Sequence, residues 1–178
     1  MAGPVVLVGM MGSGKTSVGR ELASLLEWPW LDLDQALELR FRRSVAEQFA
    51  LDGETVFRRR ERALLREACG SGSRVVSTGG GVVLDPTNLE LLKRNRTVYL
   101  QASPSVLAGR LGKAQIRRRP LLQGAGNDLE VVLRRLAKLR GPLYRSCAML
   151  TVRTASASPS ALAQRILGRL WGDIDRAA

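Results

Sequence analysis

Histidine is absent from the 178-residue chain, and cysteine occurs only at Cys69 and Cys147. Without imidazole there is no His-based triad, no His general base and little material for a transition-metal site, so any proton acceptor is expected to be a carboxylate. The two cysteines form no metal or redox spacing. They read as small apolar residues near helix ends in a reducing compartment. Aromatic residues make up 4% of the chain, which poorly supports a stacking platform for single-stranded nucleic acid. No apolar run approaches the ~18–20 residues that span a bilayer. The first strand leads straight into a glycine-rich loop, with no basic segment, apolar stretch and cleavage site before it. A cytoplasmic protein, or one in an organelle interior after processing, with no membrane partner is the expectation.

Acidic residues are also scarce: 16 stand against 28 basic ones, a formal charge of +12. A hydrophobic content of 45% and a charged content of 25% match one globular domain covering residues 1–178. Nucleic acid, an anionic small molecule or a bias towards arginine would each account for the charge. The arginines are spread over Arg58-Arg59-Arg60, Arg117-Arg118-Arg119 and Arg134-Arg135 instead of forming one basic tail, which favours converging side chains or solvated helix faces.

Gly9-Met10-Met11-Gly12-Ser13-Gly14-Lys15-Thr16 fits the G-x-x-x-x-G-K-[S/T] phosphate-binding loop. Val5-Val6-Leu7-Val8 before it is the continuous apolar run of a buried strand. After it, Val18, Leu22, Leu25 and Leu26 recur at helical spacing. Backbone N–H groups of the loop and of the helix start converge on an anion there. Lys15 can reach the β- and γ-phosphates, and the Thr16 hydroxyl can ligate Mg²⁺. Gly12, Ser13, Gly14, Lys15, Thr16 and Ser17 are therefore candidate residues for binding a nucleoside triphosphate.

Further along, Trp28–Asp34 reads as a turn and a short strand ending in two acidic residues, and the spacing predicts strands at Arg74–Ser77, Thr97–Leu100 and Met149–Val152. Helices are predicted from Asp34 to Phe41, from Ser44 to Asp52, from Glu54 to Ala68 and from Pro86 to Arg94. Others run from Pro104 to Gly112, from Asp128 to Ala148 with an interruption at Gly141-Pro142, and from Pro159 to Trp171. Ser44 and Glu47 have the spacing of a capping box. Residues 113–127 have few periodic apolar positions and read as a loop or lid. Strands alternating with helices indicate an α/β doubly wound sheet with phosphate chemistry at the carboxyl ends of its strands.

Asp32 and Asp34 follow the second strand. On an extended backbone there, the two side chains are expected on opposite sides, one towards Mg²⁺ and the other towards an acceptor hydroxyl. Helix capping is an equal alternative for either. Arg58 and Glu61 share a helix face at i,i+3, so Glu61 can hold the guanidinium flat for a carboxylate, unless the two are only a surface pair. Thr78-Gly79-Gly80-Gly81 follows a strand and lets backbone N–H groups approach a ligand, or forms a flexible turn.

Taken together these segments resemble the shikimate kinase family. The resemblance rests on Gly-Met-Met-Gly-Ser-Gly-Lys-Thr at 9–16, Asp-Leu-Asp at 32–34, Phe-Arg-Arg-Arg-Glu at 57–61, Thr-Gly-Gly-Gly at 78–81, Arg-Pro-Leu-Leu at 119–122 and Arg-Gly-Pro-Leu-Tyr at 140–144. It implies a P-loop fold like that of nucleoside monophosphate kinases, with a five-stranded parallel sheet in the order 2-3-1-4-5. It implies ATP-dependent phosphorylation of the 3-hydroxyl of shikimate, with Mg²⁺. By position, it makes Asp34 the base that contacts the acceptor hydroxyls, and Lys15 and Arg119 the cations on the transferring phosphoryl. Arg58 and Arg140 become the clamp on the acceptor carboxylate, Gly79, Gly80 and Gly81 its backbone contacts, and Asp32 the carboxylate linked to Mg²⁺ through water. Arg110 and the segment from Ala155 to Pro159 fall on the adenine side. Residues 34–70 become the acceptor-binding segment and 113–127 the lid, in which the register of Pro120 selects Arg119 over Arg117 and Arg118. A monomer acting on ATP and shikimate, with no nucleic-acid partner, is expected. A kinase for another hydroxy acid, such as gluconate or aminoshikimate, is the near alternative. A nucleotide-dependent nucleic-acid-binding module is the alternative of another class.

Overall fold

In the computed structural model, which describes residues 3–112, 116, 129–155 and 157–172, β1 (Val5–Val8) is buried along its whole length. A strand with no polar face must be covered on both sides, as in parallel sheets. Here β1 pairs in parallel with β3 (Val75–Ser77) and β4 (Arg96–Gln101). The edges are β2 (Trp30–Asp32), against β3, and β5 (Leu150–Arg153), against β4. The five-stranded order is β2-β3-β1-β4-β5, as expected from the resemblance.

Side-chain alternation along β1 divides the interior into two cores. Val5 and Leu7 face one core with Val18 and Leu22 of α1 (Lys15–Leu26) and Ile166 of α7 (Pro159–Trp171). Val6 and Val8 face the other. That side contains Leu33 and Leu37 of α2 (Leu33–Phe41), Phe57 and Leu65 of α3 (Val45–Gly70), Leu92 of α4 (Pro86–Lys93) and Leu107 of α5 (Pro104–Arg110). Leu133 and Tyr144 of α6 (Leu129–Cys147) complete it. Among the described residues no helix is long and apolar enough to cross a membrane. Cys69 and Cys147 are free thiols, and burial pushes each up to about 11.

Several local expectations are met by specific bonds. Ser44 Oγ accepts from the Glu47 N–H at 3.2 Å, and the Ser44 N–H donates to Glu47 Oε2 at 2.7 Å, completing the capping box. The break expected at Asp52-Gly53 is a kink within α3, where Gly53 takes φ 81° and ψ 163°.

Two expectations are corrected. Helix α6 continues through Gly141 and Pro142. Arg140 and Tyr144, one turn apart across the proline, both donate to the Gly80 carbonyl, and this tertiary anchoring outweighs the local helix-breaking tendency. Asp34 is not on extended backbone: it sits in the first turn of α2, with Asp32 as N-cap. The placement of the two carboxylates therefore follows from a strand-to-helix junction, not from strand alternation.

This topology gathers the phosphate loop after β1, Asp32 at the end of β2, Thr78 after β3 and Thr154 after β5 along one edge of the sheet. Leu65 of α3 is fully buried in the core that packs against Val6 and Val8. Leu65→Ala is expected to lower unfolding free energy by about 2–5 kcal/mol, measured by denaturant titration.

Candidate active site

The phosphate loop is held in shape by its own lysine. Lys15 Nζ donates to the Gly9 and Met10 carbonyls, both at 2.9 Å. The loop enters α1 through Gly14 at φ 94°, leaving the first N–H groups of the helix at the mouth of a cleft. This cleft encloses about 270 Å³ and is lined by residues including Gly12, Gly14, Lys15, Thr16, Ser17, Asp32 and Asp34. Ser13 is buried in the loop.

The two oxygens of Asp32 have separate tasks. Oδ1 accepts from the N–H groups of Asp34 and Gln35 at 3.1 and 3.3 Å, capping α2. Oδ2 accepts from Thr16 Oγ1 at 2.8 Å. The capping reading and the metal-side reading are thus compatible in one residue. Capping also fixes where Asp34 stands.

On the opposite wall, the turn after β3 meets α2, α3 and α6. A Cβ on Gly79 would lie 2.7 Å from Asp34 Oδ1 and 2.9 Å from Glu61 Oε1, and one on Gly81 would lie 2.5 Å from Arg58 Nη1. Only glycine allows the turn to approach these charged groups so closely. Arg58 Nη1 donates to Glu61 Oε2 at 2.8 Å, with Glu61 1% exposed and Arg58 16% exposed. Burial works against the Arg58 charge, but Glu61 and Glu54 more than offset it and hold the guanidinium above its ordinary value. Burial also pushes the Glu61 carboxyl up to about 7; Arg58 opposes this rise, and Asp34 and Asp85 add to it.

Arg140, almost fully buried, donates from Nη1 to the Gly80 carbonyl at 3.1 Å. Tyr144 O–H donates to the same carbonyl. With the Gly80 oxygen turned towards α6, the trans peptide directs the Gly81 N–H to the other side. At the far end of the cleft, Arg110 donates from Nη1 to Thr154 Oγ1 at 3.1 Å and from Nη2 to the Ala155 carbonyl at 2.9 Å, joining α5 to the loop after β5.

The structure therefore brings together Gly12–Ser17, Asp32, Asp34, Arg58, Gly79–Gly81, Arg110 and Arg140 along one face. Arg117, Arg118 and Arg119, with the lid assigned to 113–127, lie outside the described residues except for Ile116. Two residues with a part in the site carried no separate role in the sequence reading. Tyr144, at i+4 from Arg140, shares its Gly80 contact, a spacing that was available to find it. Trp30 donates to Ser77 Oγ at 3.1 Å, and Ser77 in turn donates to the Lys15 carbonyl at 2.9 Å; no sequence spacing links these residues.

Among the described residues there is no cluster of three or more His, Cys, Asp and Glu side chains suited to a metal. Mg²⁺ does not require one, because phosphates and water supply most of its ligands in phosphoryl-transfer sites. Thr16 and Asp32 fit such a site: both are oxygen donors, and the Thr16 proton is directed to Asp32, leaving the hydroxyl lone pairs for a cation.

A phosphate loop on a parallel sheet of order 2-3-1-4-5, covered by helices on both faces, defines a P-loop kinase of the nucleoside-monophosphate-kinase type. A family model described as shikimate kinase matches residues 11–171. Shikimate kinase of Rhodococcus jostii is 39% identical over 170 residues, covering 96% of this chain and 99% of its own. That of Mycobacterium tuberculosis is 42% identical over 170 residues, covering 96% and 94%. The solved structure of shikimate kinase from Acinetobacter baumannii in complex with shikimate superposes with a TM-score of 0.91 at 37% identity, covering 97% of this chain and 95% of that one. The chain belongs to the shikimate kinase family and is a phosphotransferase.

The raised Glu61 carboxyl has a consequence for stability. Its ordinary value is 4.5 and its folded value about 7, so between them the folded protein keeps a proton that the unfolded chain releases. The resulting stabilisation is complete below about pH 4.5 and is lost as pH rises through about 7. No histidine titrates in the same window. Thermal midpoints are expected to fall between about pH 6 and pH 8 and to flatten in Glu61→Gln; an equal slope in both proteins would contradict this assignment.

Proposed function

We infer that the chain transfers the γ-phosphoryl group of ATP to the 3-hydroxyl of shikimate, giving shikimate 3-phosphate and ADP. The observation that carries this reading is the convergence of Asp34, Glu61-bound Arg58 and the Gly79–Gly81 turn beside the phosphate-loop cleft. A hydroxyl acceptor with a carboxylate matches that set: Asp34 takes the hydroxyl end, while Arg58 and Arg140 take the carboxylate. Glu61 Oε1 and Arg140 Nε are buried and lack a hydrogen-bond partner, the pattern of a site that a polar ligand completes.

Phosphoryl transfer depends on positioning and on neutralising charge over the phosphoryl oxygens. The N–H groups from Gly12 to Ser17 seat the ATP phosphates, and Lys15 moves from its loop carbonyls to the β- and γ-phosphates. Thr16, backed by Asp32, would hold Mg²⁺, which supplies positive charge to the phosphates when bound. Asp34 orients the acceptor hydroxyl and receives its proton as the new O–P bond forms. Arg110 borders the adenine side. The family resemblance assigns the charge on the transferring phosphoryl to Arg119, with residues 113–127 excluding water. Arg58 and Arg140 select for a carboxylate, which gluconate and aminoshikimate also carry; the family match favours shikimate among them. A monomeric cytoplasmic enzyme with no nucleic-acid or membrane partner accompanies this reading.

Asp34→Asn is expected to reduce kcat by about 10²–10⁴-fold while retaining ATP affinity; a variant with most of its activity would overturn the role of Asp34. Arg58→Lys keeps a cation beside Glu61 but loses the planar fork. Shikimate titration is expected to show at least about tenfold weaker binding, with ATP binding retained.

A further inference from the structure

We propose that Glu54 is a built-in competitor for the acceptor carboxylate: in the free enzyme it occupies Arg58 donors that the acceptor takes over on binding. This rests on the assignment of Arg58 to the acceptor carboxylate made above.

Arg58 has two carboxylate partners on its own helix, and their surroundings differ sharply. Glu61 is 1% exposed and takes Nη1 at 2.8 Å. It has no route into water and stays with Arg58 throughout. Glu54, one turn earlier, is 61% exposed. Arg58 donates to it from Nε at 3.2 Å and from Nη2 at 3.1 Å, and both bonds end on the same oxygen, Oε1.

That geometry is a half-used fork. A guanidinium edge presents two parallel N–H groups, matched to the two oxygens of a planar carboxylate. With Nη1 held by Glu61, the edge formed by Nε and Nη2 is where a second carboxylate docks. Glu54 covers it with one oxygen. An incoming carboxylate that brings both oxygens makes the better partner. The guanidinium also stands at the glycine turn, because a Cβ on Gly81 would collide with both Nη1 and Nη2 of Arg58.

Release of Glu54 costs little. It follows Gly53, whose φ of 81° and ψ of 163° break α3, so its side chain stands at the start of the next helical segment. Negative charge is favoured at the start of a helical segment by the helix dipole. An adjoining cavity of about 590 Å³, lined by residues including Glu54, Thr55, Arg58 and Asp85, gives the side chain room to swing. The device favours acceptors that carry a carboxylate, since a neutral polyol offers nothing to displace Glu54.

Calorimetric titration of shikimate into the nucleotide-free enzyme tests this with two variants. Glu54→Gln removes the charge at nearly constant shape. Glu54→Asp keeps the charge at the helix start but withdraws it from Arg58 by one methylene. Both are expected to bind shikimate about two- to fivefold more tightly, the range of an exposed ion pair removed from the competition, with ATP affinity unchanged. Weaker binding in either variant would mean that Glu54 orients Arg58 within the complex, and unchanged binding that the contact is idle. Tightening in Glu54→Gln alone would mean a general field effect. Each of these overturns the proposal. Arg58→Lys separates the two levels: if it binds shikimate normally, the assignment of Arg58 itself fails. If it binds weakly while neither Glu54 variant tightens, only the competitor role fails.

Discussion

The ion pair between Arg58 and the buried Glu61 constrains the wall of the cleft opposite the phosphate loop. Glu61 is 1% exposed and bonds to Arg58 at 2.8 Å. Removing Arg58 takes the cation from a fully buried carboxyl group, a loss of about 3–5 kcal/mol in comparable cases. The pair does more than stabilise α3. It fixes the guanidinium against Gly81, while the other Glu61 oxygen, with Asp34, crowds the position a Gly79 side chain would occupy. The glycine turn and the charged pair therefore specify each other.

From that wall the constraint extends to the donor side through backbone groups. Arg140 and Tyr144 hold the Gly80 carbonyl from α6. Thr78, at the start of the same turn, donates from Oγ1 to the Leu7 carbonyl of β1 at 2.9 Å, and β1 runs directly into the phosphate loop. Ser77 bonds to the Lys15 carbonyl at 2.9 Å. The end of β3 thus fixes the spacing between the phosphate loop and the acceptor turn. In a reaction governed by positioning, this spacing matters as much as the identity of the reacting groups.

The phosphate loop was legible from sequence because its geometry is local: consecutive residues from Gly9 to Thr16 carry the glycines, the lysine and the hydroxyl. The capping box at Ser44 and the break at Gly53 were legible for the same reason. The opposite wall, with Asp34, Arg58, Gly79–Gly81 and Arg140, depends on long-range contacts, and its residues could be grouped only through family motifs. Asp32 and Asp34 show where local reasoning falls short. The chain turns from strand to helix between them, so a rule for extended backbone did not apply, and one carboxylate both caps the helix and bonds to Thr16. Gly141-Pro142 failed in the opposite sense: a strong local breaker was overruled by the two anchors to Gly80. The bonds from Trp30 to Ser77 and from Ser77 to Lys15 span separations of 47 and 62 positions, which no periodicity encodes.

The central claim is that two arginines, Arg58 and Arg140, choose the acceptor by its carboxylate while the phosphate loop binds the donor independently. Titration with shikimate and with its methyl ester, each with and without ATP, tests it most directly. The esterified compound keeps every ring hydroxyl but loses the charge and the two-oxygen fork. It is expected to bind at least about a hundredfold more weakly than shikimate, with ATP affinity unchanged. Equal binding of acid and ester would contradict the account.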